Sequence, residues 1–293
     1  MAEDAPAYPE DLRELVDEYL QGLAFSPSPA TAGLEEAMRY SLLAGGKRIR
    51  PVLALATAKS VGTDPREVLP AAAAIELIHT YSLIHDDLPA MDDDELRRGM
   101  PTSHVRFGEN VAILAGDGLF AEALRLFAAE QTGAPERVLA ALRELTAATG
   151  VDGMVGGQYV DVTTTALDAE GLRGLHALKT GRLIAASVGV PLTLAGLPEA
   201  ETIAYRSFAE ELGVLFQIVD DILDVTGSDQ QLGKPKGSDE RHGKLTYVSV
   251  LGLDRARELA AGAYGKAREA LEQASGETDE LMRITDFIYR RQT

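Results

Sequence analysis

Apolar positions recur at helical spacing almost from one end of the chain to the other. Val68, Ala72, Ile75, His79 and Leu83 fall at i, i+4, i+7, i+11 and i+15, along one face of a helix. Asp64-Pro65-Arg66-Glu67 ahead of them reads as an N-cap, a proline at the first helical position and an acid at the third. The same spacing recurs over residues 12–20, 34–43, 111–127, 212–223 and 256–271. Alternating, strand-like runs are scarce, and residues 246–250 are the best candidate. Gly45-Gly46, Gly62, Gly133, Pro198 and Gly227 supply the breaks. No Ser/Gly/Pro-rich linker divides the chain. The pattern predicts an all-α fold, with residues 1–293 as a single domain of roughly ten or more helices.

Composition narrows the function. The 293 residues are 45% hydrophobic and 25% charged, enough to bury a large core. Against 28 Lys and Arg stand 46 Asp and Glu, a net charge of −18 that disfavours nucleic acid and anionic membrane surfaces as partners. There is no cysteine, which excludes disulfides, thiolate metal sites and cysteine nucleophiles. The longest uncharged run, residues 183–198, is interrupted by Gly189 and Pro191 and is too short to span a bilayer. The start, MAEDAPAYPEDL, lacks the basic-then-apolar order of a signal peptide, so a cytoplasmic location is the expectation.

Two paired-aspartate clusters stand out against this apolar pattern. Asp220, Asp221 and Asp224 follow Gln217 on an otherwise apolar helix, and Asp220 and Asp224 at i and i+4 share a face. Carboxylates crowded on one buried face repel unless a cation sits between them, and a hard, oxygen-preferring ion such as Mg²⁺ meets that need. The first cluster, Asp86, Asp87 and Asp92, spaces its outer members six apart, about 120° around an unbroken helix. Pro89 lies between them and cannot donate to the carbonyl of His85, so the helix is expected to bulge or end there and return Asp92 toward Asp86.

Cations follow the acids closely. Arg97 and Arg98 come one residue after Asp93, Asp94 and Glu95, an acid-then-arginine order suited to a metal-bridged polyphosphate. Lys47, Arg48 and Arg50 follow Gly45-Gly46, Lys179-Thr180-Gly181-Arg182 interrupts an apolar stretch, and Lys234 and Lys236 follow the second aspartate helix. His79, seven residues before Asp86, projects within about 20° of it.

The run H-D-D-L-P-A-M-D-D-D-E-L-R-R-G-M-P-T-S-H at 85–104 resembles the first aspartate-rich motif of bacterial trans-isoprenyl diphosphate synthases. F-Q-I-V-D-D-I-L-D at 216–224 resembles their second. G-G-K-R-I-R-P, A-G-D at 115–117, G-G-Q-Y-V-D at 156–161, K-T-G at 179–181, L-G-K-P-K-G-S-D at 232–239 and K-L-T-Y at 244–247 match in the same order. Lys236 departs from the small residue common at its position. The resemblance implies helices around a deep central cavity, a homodimer, and condensation of isopentenyl diphosphate with an allylic diphosphate. By the same resemblance Asp86 and Asp92 would bind two Mg²⁺ ions and Asp220 a third, with Asp87, Asp221 and Asp224 ligating directly or through water. Arg97, Lys179, Lys234 and Lys244 would hold the allylic diphosphate, with Thr180 and Gln217 nearby; Lys47, Arg50, His79 and Arg98 would hold isopentenyl diphosphate.

The residues suit that chemistry. Ionising an allylic C–O bond needs a stabilised leaving group, which Mg²⁺ with Lys and Arg can supply. The resulting cation needs a dry cavity, and the aliphatic faces preceding both clusters provide one. No strong base stands on those faces, so the departing diphosphate is expected to take the final proton. Product length should depend on Tyr81 and Ser82, five and four residues before Asp86 and ~6–8 Å along the helix. Ser82 leaves space and Tyr81 is bulky enough to stop a growing chain. That pair resembles bacterial farnesyl diphosphate synthases and predicts a C15 product, with a C20 geranylgeranyl product as the alternative.

Three further classes compete. A class I terpene cyclase would carry an N-x-x-x-S/T-x-x-x-E-type second motif in place of Asp220–Asp224. An HD-type phosphohydrolase built on His85-Asp86 would need a distant upstream histidine, and His79 is the only earlier one. A non-catalytic partner subunit tends to lose one aspartate cluster, and both are intact.

Overall fold

The structure, a computed structural model, describes residues 8–227 and 244–291. Helices dominate it, as the spacing predicts. The first half contains α1 (Glu10–Gly22), α2 (Ala32–Leu42), α3 (Ile49–Ser60), α4 (Leu69–Asp86), the short α5 (Ser103–Phe107), α6 (Glu109–Glu130) and α7 (Pro135–Thr149). The second contains α8 (Met154–Thr163), α9 (Ala169–His176), α10 (Arg182–Ala195), α11 (Glu199–Thr226), α12 (Tyr247–Leu251), α13 (Leu253–Glu272) and α14 (Asp279–Arg290). A π turn over Ala177–Gly181 joins α9 to α10.

The centre is α4. Ala71, Ala72, Ala73 and Ala74 are all buried, so this stretch is apolar on every side and neighbours approach it from all round. It packs against α3 and α6, while α10 packs against α3, α7 and α11, and α11 against α13. The helix Pro65–Asp86 has a mean hydropathy of 1.2, enough by length and composition to cross a membrane, but 67% of that window is buried inside the protein. Its apolarity is that of a core helix.

Local sequence explains most of the boundaries. The Asp64 carboxylate accepts from Arg66 N at 2.9 Å, yet the first turn, Pro65–Val68, is 3₁₀, and the α-helix proper starts at Leu69. The helix predicted over 212–223 runs from Pro198, its N-cap, to Gly227, a length of about 42 Å. One expectation fails. Residues 246–250 form no strand: the Thr246 side chain caps the Ser249 N–H at 3.0 Å, Ser249 reciprocates, and α12 follows. β-branched residues there suggested a strand, but the capping box decides the local structure.

Candidate active site

The end of α4 places the first aspartates. The helix stops at Asp86, and the chain folds back so that Asp92 N donates to Asp86 O at 2.9 Å and Met91 N to Leu88 O at 2.8 Å. This is the return expected from Pro89. Past it, a two-residue hairpin pairs Leu96–Arg97 (β1) with Met100–Pro101 (β2), turning through Arg98 (φ 55°) and Gly99 (φ 76°). The spacing gave no hint of this hairpin, which turns Arg97 and Arg98 back toward α4.

Asp86 and Asp220 face one hollow. A cavity of about 760 Å³ is lined by α4 (His79, Tyr81, Ser82, Asp86), the π turn (Lys179, Thr180) and α11 (Phe216, Gln217, Asp220). A second lobe of about 640 Å³ adjoins it and is lined by Lys47, Arg50, His79, Arg98, Asp221 and Asp224, among others. The two lobes share Arg50, His79, Arg97, Arg98, Gln217 and Asp220 as common wall.

Each acid has a distinct setting. Burial pushes the Asp86 carboxyl up to about 6, and nearby Asp92 adds to the effect, against the opposing pull of Lys179 and Lys244. Asp92 receives Lys244 Nζ at 2.6 Å, and Asp220 receives Arg291 at 3.3 Å. Asp221, 1% exposed, accepts from Gln217 Nε2 at 2.8 Å and from Tyr247 N at 2.7 Å. Asp87 lines neither lobe; it is buried beneath the hairpin and clamps the Arg97 guanidinium through both oxygens. Asp87 thus anchors Arg97 much as Asp92 holds Lys244, and neither of these two acids lines a lobe directly.

The basic residues are arranged around these acids. Lys179 Nζ lies 2.6 Å from Asp161, and Thr180 Oγ1 donates to Gln217 Oε1 at 2.8 Å. Arg50 donates to His79 Nε2 at 3.3 Å, and an arginine can only donate, so this histidine is neutral. Burial first, then Arg50 and the other arginines, hold its pKa well below the usual histidine value. Arg98 donates to the carbonyl of Gly45, while Lys47 Nζ sits 5.2 Å over the Phe287 ring. Lys234 lies outside the described residues.

Sequence reasoning missed several partners. Asp161 sits in the matched G-G-Q-Y-V-D run, a signal that could have found it. Phe120, which meets the Tyr81 ring edge-on at 5.2 Å, carries no sequence signal of its own.

Among the described residues no three acidic or histidine side chains are clustered tightly enough to cage an ion alone. Mg²⁺ bound with a diphosphate keeps waters and takes only one or two carboxylates plus substrate oxygens. The raised Asp86 carboxyl, beside Asp92 and facing Asp220 across the hollow, is a donor set that a hard cation would relieve.

An all-α bundle with two acidic segments and a ring of cations about one cavity defines an enzyme that handles diphosphates. Residues 31–286 match the polyprenyl synthetase family, and the chain belongs to it. It is a short-chain trans-prenyltransferase. The chain is 46% identical over 268 residues to the heterodimeric geranylgeranyl pyrophosphate synthase large subunit 1 of Arabidopsis thaliana, covering 88% of this chain and 72% of that protein. A geranylgeranyl pyrophosphate synthase of Capsicum annuum is 45% identical over 263 residues, covering 88% of this chain and 71% of its own length. Among solved structures, an FPP/GFPP synthase from Zymomonas mobilis superposes with a TM-score of 0.84 at 35% identity, covering 96% of each chain. A geranyltransferase from Helicobacter pylori, complexed with magnesium and isoprenyl diphosphate, gives 0.84 at 30% identity, covering 99% of this chain and 98% of that one.

Proposed function

We propose that the protein joins isopentenyl diphosphate to dimethylallyl or geranyl diphosphate and releases farnesyl diphosphate. The observation that carries the C15 assignment is an aromatic floor. Tyr81 lines the cavity one and a half turns below Asp86, braced edge-on by Phe120 at 5.2 Å and His85 at 5.5 Å. A brace from two sides keeps the phenol ring from yielding to a longer chain.

The allylic diphosphate lies in the first lobe, facing Lys179 and Arg97, with Lys244 held on Asp92, and isopentenyl diphosphate in the second, facing Lys47, Arg50, His79 and Arg98. Asp86, Asp92 and Asp220 would hold Mg²⁺, three ions per site by the resemblance, with Asp221 and Asp224 in support. Held there, Mg²⁺ would supply charge neutralisation for the leaving diphosphate. Lys179 and Arg97 add fixed positive charge where negative charge develops on that group. The dipoles of Thr180 and Gln217, locked together at 2.8 Å, face the lobe where the carbocation forms. The aliphatic walls exclude water from it, and the departing diphosphate accepts the proton lost by the isopentenyl unit.

A C20 product is the second reading, favoured by the names of the two plant relatives. Chromatography of the products formed with Mg²⁺, isopentenyl diphosphate and each allylic primer decides between them. The wild-type protein is expected to stop at C15 and Tyr81→Ala to run on to C20 or beyond. A wild-type C20 product, or a Tyr81→Ala variant with unchanged product length, would remove Tyr81 as the floor. No condensation product with any primer would overturn the function itself.

We also propose a homodimer. Ile113 and Leu114 on α6 and Val155, Tyr159 and Val162 on α8 are exposed apolar side chains, and Ile113 and Val155 also line the cavity wall. A second copy covering this face would seal the side of the cavity.

A further inference from the structure

We propose that Arg48 is a positioning residue for the isopentenyl diphosphate lobe: its buried guanidinium, tied to three helices, holds the turn from which Lys47 and Arg50 reach that lobe. The inference rests on the assignment of the lobe made above.

Arg48 adopts a left-handed backbone (φ 52°, ψ 38°), which L-residues other than glycine enter only under strain. Among the described residues only Arg48, Asp93 and Arg98 combine a side chain with positive φ, and all three lie in the loops that carry the acids and cations of the cavity. Such strain persists where the surroundings over-determine it. At Arg48 they do. Nε donates to Asp17 of α1 at 2.9 Å, Nη1 to Glu76 of α4 at 2.8 Å, and Nη2 to the Leu42 carbonyl ending α2 at 2.7 Å. The side chains of Arg48 and Glu76 are each only 2% exposed.

The residues on either side are those that face the lobe. Lys47 offers its carbonyl to Tyr8 Oη at 2.7 Å, and its ammonium lies over Phe287. Arg50 reaches His79, and Glu76 stands one turn before His79 on α4, so the Arg48–Glu76 pair ties the loop to the helix carrying both His79 and Asp86. Arg98 joins the same assembly: it donates to Gly45 O, and a Cβ on Gly46 would lie 2.8 Å from its Cζ. Three diphosphate-facing cations, Lys47, Arg50 and Arg98, and the neutral His79 are thus fixed relative to one another through an arginine at the lobe wall whose guanidinium is taken up by Asp17, Glu76 and the Leu42 carbonyl. Binding then avoids the cost of ordering long side chains on a loose loop.

The test replaces the pair together, because removing Arg48 alone would leave the buried Glu76 without its partner, whereas Asp17 keeps Arg13. In R48M/E76M, with folding checked by circular dichroism, KM for isopentenyl diphosphate should rise about tenfold while KM for the allylic primer stays within about twofold. Direct calorimetric binding of isopentenyl diphosphate should weaken by the same factor, and R48K should recover part of the loss. Equal rises in both KM values, or an unchanged KM for isopentenyl diphosphate in the folded variant, would overturn the inference. Should the double variant fail to fold, D17N removes only the outermost anchor and should still raise that KM about threefold without touching the allylic one; no rise would count against the proposal. K47A and R50A test the lobe itself. If they leave KM for isopentenyl diphosphate unchanged, the assignment fails; if they raise it and R48M/E76M does not, only the role of Arg48 fails.

Discussion

Lys179 illustrates how the site works residue by residue. Its ammonium faces the lobe that Asp86 and Asp220 share, and its aim is set from behind by Asp161 at 2.6 Å. Asp161→Asn keeps the shape and loses the charge, which costs ~1.5 kcal/mol of charge-assisted hydrogen bonding. We expect kcat to fall about tenfold, with KM for isopentenyl diphosphate unchanged. Steady-state rates with both substrates varied check this, and an unaltered kcat would mean that Lys179 needs no such support. Charged side chains that face the cavity, such as Asp86, Asp220, Arg97 and Lys179, stood out in the sequence because acids and cations at fixed spacing on apolar helices demand an explanation. Their partners were not. Asp161 to Lys179, Glu76 to Arg48 and Phe120 to Tyr81 are contacts between different elements, and periodicity within one helix carries no information about which other helix it meets. Asp87 adds a role that its motif position did not announce: its carboxylate anchors Arg97 under the hairpin.

Helices and turns were legible where one signal dominated. Pro89 ends α4 and brings Asp92 back to Asp86, as its missing N–H requires. Residues 246–250 were misread because β-branched content and a capping box point in opposite directions, and the side-chain caps prevail. The π turn at Ala177–Gly181 could not be foreseen. It depends on α8 passing so close that a Cβ on Gly157 would overlap the backbone nitrogen of Lys179. Gly157→Ala should therefore push the turn and its lysine away from the cavity. A loss of about 1–3 kcal/mol in chemical denaturation is expected from overpacking, together with a fall in kcat. A variant with wild-type stability and rate would show that α8 and the turn are not in tight register.

Over the molecule as a whole, the class of fold followed from periodicity alone, while the position of the cavity did not. Facing lobes between α4 and α11 arise from how the helices stack, and only the two aspartate clusters hinted that these helices look toward each other. The apolar side chains of α6 and α8, Ile113, Leu114, Val155, Tyr159 and Val162, stand uncovered on one chain. Sedimentation equilibrium is expected to give twice the 31.3 kDa chain mass, and Tyr159→Asp, on the exposed side of that face, should shift the protein toward monomer. A wild-type monomer would contradict the homodimer.

The account depends most on Asp86 and Asp220 acting on the same diphosphate. Calorimetric titration of inorganic pyrophosphate, with and without Mg²⁺, tests this in the wild type, D86N, D220N and the double variant. Mg²⁺ should strengthen wild-type binding, each single substitution should remove most of that gain, and the double should lose little more, because the two acids serve one ligand. Purely additive losses, or pyrophosphate binding indifferent to Mg²⁺, would contradict it.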